Sequence, residues 1–254
     1  MNSPLEDIGG KRTLLNEFEA YQLLEGFGIP FPPSQIAHSP EQAVRAVSKV
    51  GPPAVMKILS PHIPHKSAIG GVIFNVTPQE AADRYTDLLH RVRQACPNAF
   101  IQGVLVQRQY DLRSGVELIV GGLRDPYFGS VVMVGAGGKL AELLEDVSFR
   151  VIPISHGEAL SMLAETKVGG CLRSMPGIQD TFPRVANLVL AVCQILLVHP
   201  QISELDINPL FIGKEEVVAL DALIRIDHQL QGEGDKGGEG ESRSSAVRDF
   251  CQSA

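Results

Sequence analysis

Ala54-Val55-Met56-Lys57-Ile58-Leu59, a polar stretch from Ser60 to Ile69, and then Gly70-Gly71-Val72-Ile73-Phe74-Asn75-Val76 form the segment on which the reading of this chain turns. The first six residues are apolar except for one charge and read as a buried strand. Gly71 to Val76 reads as a second strand, and the loop between carries His62, His65 and Lys66. A lysine in mid-strand must bring its ammonium to an anion or to solvent. Lys57 is therefore either a lysine on the exposed face of an edge strand or a point charge set against a phosphate. His65-Lys66-Ser67-Ala68-Ile69-Gly70-Gly71-Val72 is the more specific run. Paired glycines, here Gly70 and Gly71, let backbone N–H groups approach an anion, and a neutral imidazole is a competent nucleophile toward phosphorus. Taken alone, the run reads more simply as an exposed loop histidine in a hairpin turn.

Working outward, Leu14, Leu15, Phe18, Leu24 and Phe27 recur at helical spacing, closed by Gly26 and Gly28, and a connection from Pro30 to Pro33 follows. Ser39-Pro40-Glu41-Gln42 is a helix start, with Ser as cap and Pro at the first helical position; Gly51-Pro52-Pro53 breaks that helix. Thr77-Pro78-Gln79-Glu80 caps a helix to about Ala95. After Pro97 short β-rich runs dominate, at 103–109, 115–123 and 130–135. Ser155-His156-Gly157-Glu158 is a capping box for a helix to about Glu165, residues 182–198 are an apolar helix, and Ser203 to Ile226 reads as two strands about a turn at Gly213-Lys214. The expected architecture is α+β (mixed α/β) in two lobes, 13–102 and 103–227, with a flexible N-terminus over 1–12 and a disordered, Gly-, Glu- and Ser-rich tail over 228–254.

Two further runs matter for chemistry. Gly135-Ala136-Gly137-Gly138 lacks the spacing of a dinucleotide fingerprint and reads as a tight turn, one that can also approach phosphate; Glu142, Glu145, Asp146 and Arg150 after it read as a charged face. In Glu204-Leu205-Asp206-Ile207-Asn208-Pro209-Leu210 the alternation puts Glu204, Asp206 and Asn208 on one strand face. Asp221 falls on the next expected strand, across the turn from Asn208. An amide and a carboxylate oxygen on adjacent strands suit Mg²⁺, which takes few protein ligands and completes its shell with phosphate and water. A solvated sheet face is the plain alternative.

Composition narrows the function. Of 254 residues 44% are hydrophobic, and the formal net charge is −7, which argues against a nucleic-acid partner. No apolar run approaches the roughly 20 residues needed to span a bilayer, and the first residues have no signal-peptide pattern. Cys96, Cys171, Cys193 and Cys251 show no paired spacing. A cytoplasmic location with no membrane partner is expected.

Taken together, several motifs carry a family resemblance: Gly28-Ile29-Pro30, Val55-Met56-Lys57-Ile58, His65-Lys66-Ser67 with Gly70-Gly71-Val72, Asp125-Pro126 with Phe128-Gly129, Gly137-Gly138, Asp146-Val147-Ser148-Phe149-Arg150, and Glu204 through Leu210. In this order they resemble the beta (ATP-grasp) subunit of ADP-forming acetate–CoA ligases over roughly residues 14–227. They are also similar to the ATP-grasp domain of fused acyl-CoA synthetases and of some protein acyltransferases. The resemblance implies an ATP-grasp fold with the nucleotide, ATP or ADP, between two lobes. It implies Lys57 on phosphate, Gln107 at adenine, Glu117 facing the nucleotide, Asn208 and Asp221 on Mg²⁺, and His65 as a transiently phosphorylated histidine. The implied reaction is acyl-CoA + ADP + phosphate ⇌ acid + CoA + ATP, carried out with a separate CoA-binding alpha subunit. Two places depart from the family pattern: Ala68 stands where an acidic residue is usual, and Leu172-Arg173-Ser174-Met175-Pro176-Gly177 replaces an Arg-Gly-containing loop. On those departures rests an alternative, a subunit that senses ATP without transferring phosphate. A third reading is an ATP-grasp partner of a protein acyltransferase.

Overall fold

The computed structural model describes residues 12–138, 145–178, 181–214 and 216–227. The flexible segment expected before residue 12, the tail expected over 228–254, and Glu142 lie outside the described residues. Among the described residues the chain divides into two compact units.

The first unit comprises Leu14–Glu19 and Phe31–Asp111. After a short strand, β1 (Arg12–Leu14), comes helix α1 (Glu17–Glu25), whose first turn belongs to this unit. The unit is built on an antiparallel four-stranded sheet formed by β2 (Ser34–Ala37), β3 (Ala54–Leu59), β4 (Val72–Val76) and β5 (Gly103–Arg108), in the order β2-β5-β3-β4. Helices α2 (Pro40–Val50) and α3 (Ala81–Ala95) supply Val47, Val50, Leu88 and Val92 to a core with Met56, Ile58, Val104 and Val106. Because side chains alternate across a strand, those four sheet residues face the helices, and Val55, Lys57, Leu105 and Gln107 lie on the other face. The Ser39 cap forms as read: its Oγ accepts from Gln42 N at 3.2 Å, and Gln42 Oε1 accepts from His38 N at 2.9 Å.

Three expectations change here. Lys57 is not on an edge strand, because β3 runs between β5 and β4. The helix expected to be capped by Thr77 begins at Ala81, with Glu80 at the cap and its Oε1 accepting from Thr77 N at 3.4 Å. The expected boundary between 102 and 103 falls one strand early, since β5 lies inside this sheet, hydrogen-bonded to β2 and β3. That strand follows Pro97 and resembles the β-rich runs after it, so local composition does not reveal which sheet it joins.

The second unit comprises residues 12–13, Ala20–Pro30 and the described residues from Leu112 onward. Its seven-stranded sheet contains β6 (Val116–Asp125), β7 (Gly129–Ala136), β8 (Val147–Val151), β9 (Ile202–Ile212), β10 (Val217–Ala219) and β11 (Leu223–Asp227), in the order β1-β11-β9-β6-β7-β8 with β10 paired to β9. Helices α4 (His156–Glu165), α5 (Lys167–Ser174) and α6 (Phe182–Val198) belong with it, and α6 packs on β6 and β7. The Ser155 box is complete, with Glu158 N donating to Ser155 Oγ at 3.2 Å and Ser155 N to Glu158 Oε2 at 2.7 Å. The stretch read as two strands holds three, and Asp221 sits in the connection between β10 and β11 rather than on a strand. Leu14, read as helical, belongs to β1, and the strand β2 had no reading of its own.

Candidate active site

In the first unit the site begins at the N-terminus of α1. Asn16 Oδ1 accepts from Glu19 N at 2.9 Å and Glu19 Oε2 accepts from Asn16 N at 2.8 Å, a reciprocal cap that leaves Glu17 in the first helical turn. There the helix dipole favours a carboxylate. Glu17 Oε1 accepts from Lys57 Nζ at 2.6 Å, and Lys66 Nζ lies 2.9 Å from its Oε2. The Glu17 side chain is wholly buried, and those of Lys57 and Lys66 are 8% and 11% exposed. Gln107, buried on β5, shares the Lys57 face: the register sets Lys57 opposite Leu105 and Val55 opposite Gln107.

His65 precedes a short 3-10 turn, Lys66–Ile69, and is exposed; its ring makes no hydrogen bond among the described residues. Gly70 closes the turn at φ 69°, ψ 23°, a left-handed conformation that favours glycine. Gly71 is needed for space, since a Cβ there would lie 2.8 Å from Lys66 O and 2.9 Å from Ile58 Cγ2. Both N–H groups are engaged within the turn, Gly70 N with Ser67 O at 3.2 Å and Gly71 N with Lys66 O at 2.8 Å. The glycines therefore shape the turn and return the chain to β4.

In the second unit Glu117, Asn208 and Asp221 are half-buried. Asn208 Oδ1 accepts from Gly138 N at 2.9 Å. A Cβ on Gly138 would come within 2.5 Å of Glu117 Oε2, so the Glu117 carboxylate lies against that glycine. The main chain of Leu220 joins the metal-ligand candidates: Leu220 N donates to Pro209 O at 2.9 Å, and Leu220 O accepts from Tyr21 Oη at 2.9 Å. Asp221 Oδ1 accepts from Ala222 N at 2.9 Å. Glu204 forms a cross-strand ion pair with Arg225 at 2.8 Å. Beside these, Asp206 Oδ1 is shut off from solvent with no hydrogen-bond partner among the described residues. An all-oxygen set with one orphaned oxygen suits a hard cation. Among the described residues no three His, Cys, Asp or Glu side chains converge as a closed metal site, which Mg²⁺ bound largely by phosphate and water does not require.

Burial lifts the Asp206 carboxyl to about 8, with the Glu204 and Asp221 carboxylates adding to the rise. The folded value lies above the ordinary 3.8, so the native protein keeps a proton that the unfolded chain releases. This group's contribution to stability is therefore lost as pH climbs from about 4 through about 8. Asp206→Asn, melted in the presence of EDTA, is expected to match the parent near pH 4 and to exceed it by on the order of 1–2 kcal/mol at pH 8. A gap that does not widen with pH would mean the carboxyl is hydrated.

Glu17 and Asp206 were not singled out as site residues in the sequence. The signal for Glu17 was the Asn16-x-x-Glu19 cap, hidden because the apolar spacing suggested a helix starting at Leu14. Of the charged face after Gly138, Asp146 and Arg150 make structural contacts. Asp146 caps α5, its carboxylate accepting from Lys167 N at 2.7 Å and Val168 N at 2.8 Å. Arg150 pairs with Glu165, whose carboxyl is held below the usual range first by its hydrogen bond to Arg150 and then by Ser148. Arg173 closes α5 with its guanidinium 4.8 Å from the Phe182 ring centroid.

The two sheets and these side chains define a protein of the ATP-grasp class, and the profile of that family, described as the ATP-grasp domain, matches residues 8–226. The beta subunit of acetate–CoA ligase [ADP-forming] I from Pyrococcus furiosus is 40% identical over 220 residues, covering 86% of this chain and 94% of that subunit. The chain belongs to that family of ADP-forming acetate–CoA ligase beta subunits. Among solved structures, dinucleotide-forming acetyl-coenzyme A synthetase 1 of Ca. Korarchaeum cryptofilum, in complex with coenzyme A, Ca-AMPCP and HgCl+, matches with a TM-score of 0.79 at 37% identity, covering 84% of this chain and 93% of that one. The same enzyme with coenzyme A and Mg-AMPPCP, its phosphohistidine segment pointing towards the nucleotide binding site, matches at 0.71 and 33%, covering 84% and 93%. Among the described residues no helix is long and apolar enough to cross a membrane.

Proposed function

We propose that this chain is the nucleotide-binding subunit of an ADP-forming acyl-CoA synthetase, passing phosphate between ATP or ADP and His65. With a CoA-binding alpha subunit the overall reaction is acyl-CoA + ADP + phosphate ⇌ acid + CoA + ATP. The observation that carries the reading is 40% identity across 94% of a beta subunit of that activity. In this reading Lys57 holds phosphate, Gln107 holds adenine, Glu117 contacts the nucleotide, and Gly70 and Gly71 set the turn that presents His65. Asn208 and Asp221 hold Mg²⁺, which neutralises charge on the phosphates when bound. Phosphoryl transfer asks for positioning and charge neutralisation more than covalent activation, and a lysine, a carboxylate–amide pair and one histidine meet that demand.

One observation favours a second reading, an ATP-sensing subunit without transfer: Ala68 is exposed and no hydrogen bond orients the His65 ring among the described residues. Incubating the chain with γ-labelled ATP, Mg²⁺ and a CoA-binding alpha subunit separates the two. The transfer reading expects acid-labile, base-stable label on the chain, and ATP made from acyl-CoA, ADP and phosphate. ATP binding with neither product supports the sensing reading.

A further inference from the structure

The ion triad Glu17, Lys57 and Lys66 joins three parts of the first unit: the start of α1, the centre of β3 and the turn after His65. We infer that Glu17 is a positioning residue for phosphoryl transfer, setting the Lys57 ammonium and, through Lys66, the turn that bears His65. This rests on the transfer reading above.

The argument is one of geometry and burial. Glu17 splits its two oxygens, Oε1 to Lys57 at 2.6 Å and Oε2 to Lys66 at 2.9 Å, and is itself wholly buried. A lysine side chain has many rotamers and loses much conformational freedom when its ammonium is fixed. Fixing the ammonium before substrate arrives removes that cost from the reactive step, and small misplacement of a reacting group is costly in rate. The carboxylate is itself fixed, since Asn16 and Glu19 cap α1 around it and Asn16 Nδ2 donates to Gln102 Oε1 at 2.9 Å. Lys66 directly follows His65, and its carbonyl accepts from Gly71 N at 2.8 Å. Its ion pair with Glu17 therefore anchors the turn at one end while the glycines close the other. Ala68 gives the turn no carboxylate of its own, and Glu17, far earlier in the chain, supplies one through Lys66.

The test is Glu17→Gln, near-isosteric and uncharged, in the full chain with Mg²⁺, γ-labelled ATP and the alpha subunit. The single-turnover rate of histidine phosphorylation is expected to fall about tenfold or more, while the dissociation constant for ATP changes by less than about threefold. Combined with Lys57→Ala it is expected to add little to the loss from Lys57→Ala alone, because both act on one ammonium. A merely structural role would lower the melting temperature and the active fraction but leave the rate constant of the folded fraction unchanged. Lys66→Met, in a partly exposed side chain, covers the case of a misfolded Glu17→Gln; it is expected to slow labelling several-fold with ATP affinity kept. A labelled parent with both variants within about twofold of its rate overturns the positioning role alone. An unlabelled parent overturns the transfer reading and this inference with it.

Discussion

Arg124→Met is expected to destabilise the second unit by about 2–4 kcal/mol, the largest loss expected from a single side chain outside the site. Arg124 lies on β6 and is partly buried, and burial lowers its pKa. Its Nε donates to Ile202 O at 3.0 Å and its Nη1 to Ser130 Oγ at 2.8 Å. Its Nη2 donates to Leu196 O, and to His199 O at 3.2 Å. Leu196 and His199 stand at the C-terminus of α6, where carbonyls lack helical partners and a cation is favoured. One guanidinium thus closes a helix, fixes the entry into β9 and ties β6 to β7. Methionine keeps the stem volume but removes all of these donors, and among the described residues His199 O keeps only Ile202 N, at 3.0 Å. The melting temperature is expected to drop by roughly 4–12 °C. Arg124→Lys restores charge without the planar fork and should recover less than half of the loss. A drop below about 1 °C for the methionine variant would show that water replaces the guanidinium at these carbonyls.

How far the molecule was legible in its sequence follows the range of the forces involved. The Ser39 cap and the Ser155 box are contacts across three residues, and both form as read. The alternation in Glu204 to Asn208 survives because β9 buries Leu205 and Ile207 and leaves their neighbours half-exposed. The partners of Lys57 and Arg124 were illegible for the opposite reason: Glu17 lies 40 residues from Lys57, and Ile202 lies 78 from Arg124. Lys57 read as an edge-strand lysine or a phosphate ligand, while the structure gives it an interior strand and a buried counter-ion. Asp146 and Arg150 looked like one charged face, but one caps α5 and the other pairs with Glu165, a distinction set by tertiary placement. Asp221 could not be assigned to a connection because the short strand β10 pairs with β9 and interrupts the expected hairpin. Sheet membership of β5 was hidden for the same cause, since pairing is long-range and composition is local.

His65→Ala is expected to abolish phosphorylation of the chain and to slow net ATP formation by about a thousandfold or more, while shifting stability by less than about 0.5 kcal/mol. The small stability effect follows from the structure. His65 is exposed, its φ of −97° and ψ of 70° place no demand for an unusual residue, and its ring holds no hydrogen bond among the described residues. The large effect on rate follows from the chemistry. In the proposed transfer a neutral imidazole nitrogen supplies the electron pair that forms the N–P bond, while the P–O bond to the β-phosphate breaks and ADP leaves with the electrons of that P–O bond. Alanine has no acceptor, so phosphate has no carrier from the nucleotide to the acyl group. His62, three residues earlier, is the control. Its Nδ1 accepts from Phe100 N at 3.2 Å, which gives its ring a structural use. His62→Ala is therefore expected to keep the acid-labile, base-stable label and to lose some stability instead. Label kept in His65→Ala but lost in His62→Ala would move the acceptor to the neighbouring histidine. Label kept in both would remove this loop from the reaction, and with it the role proposed for the glycine-closed turn.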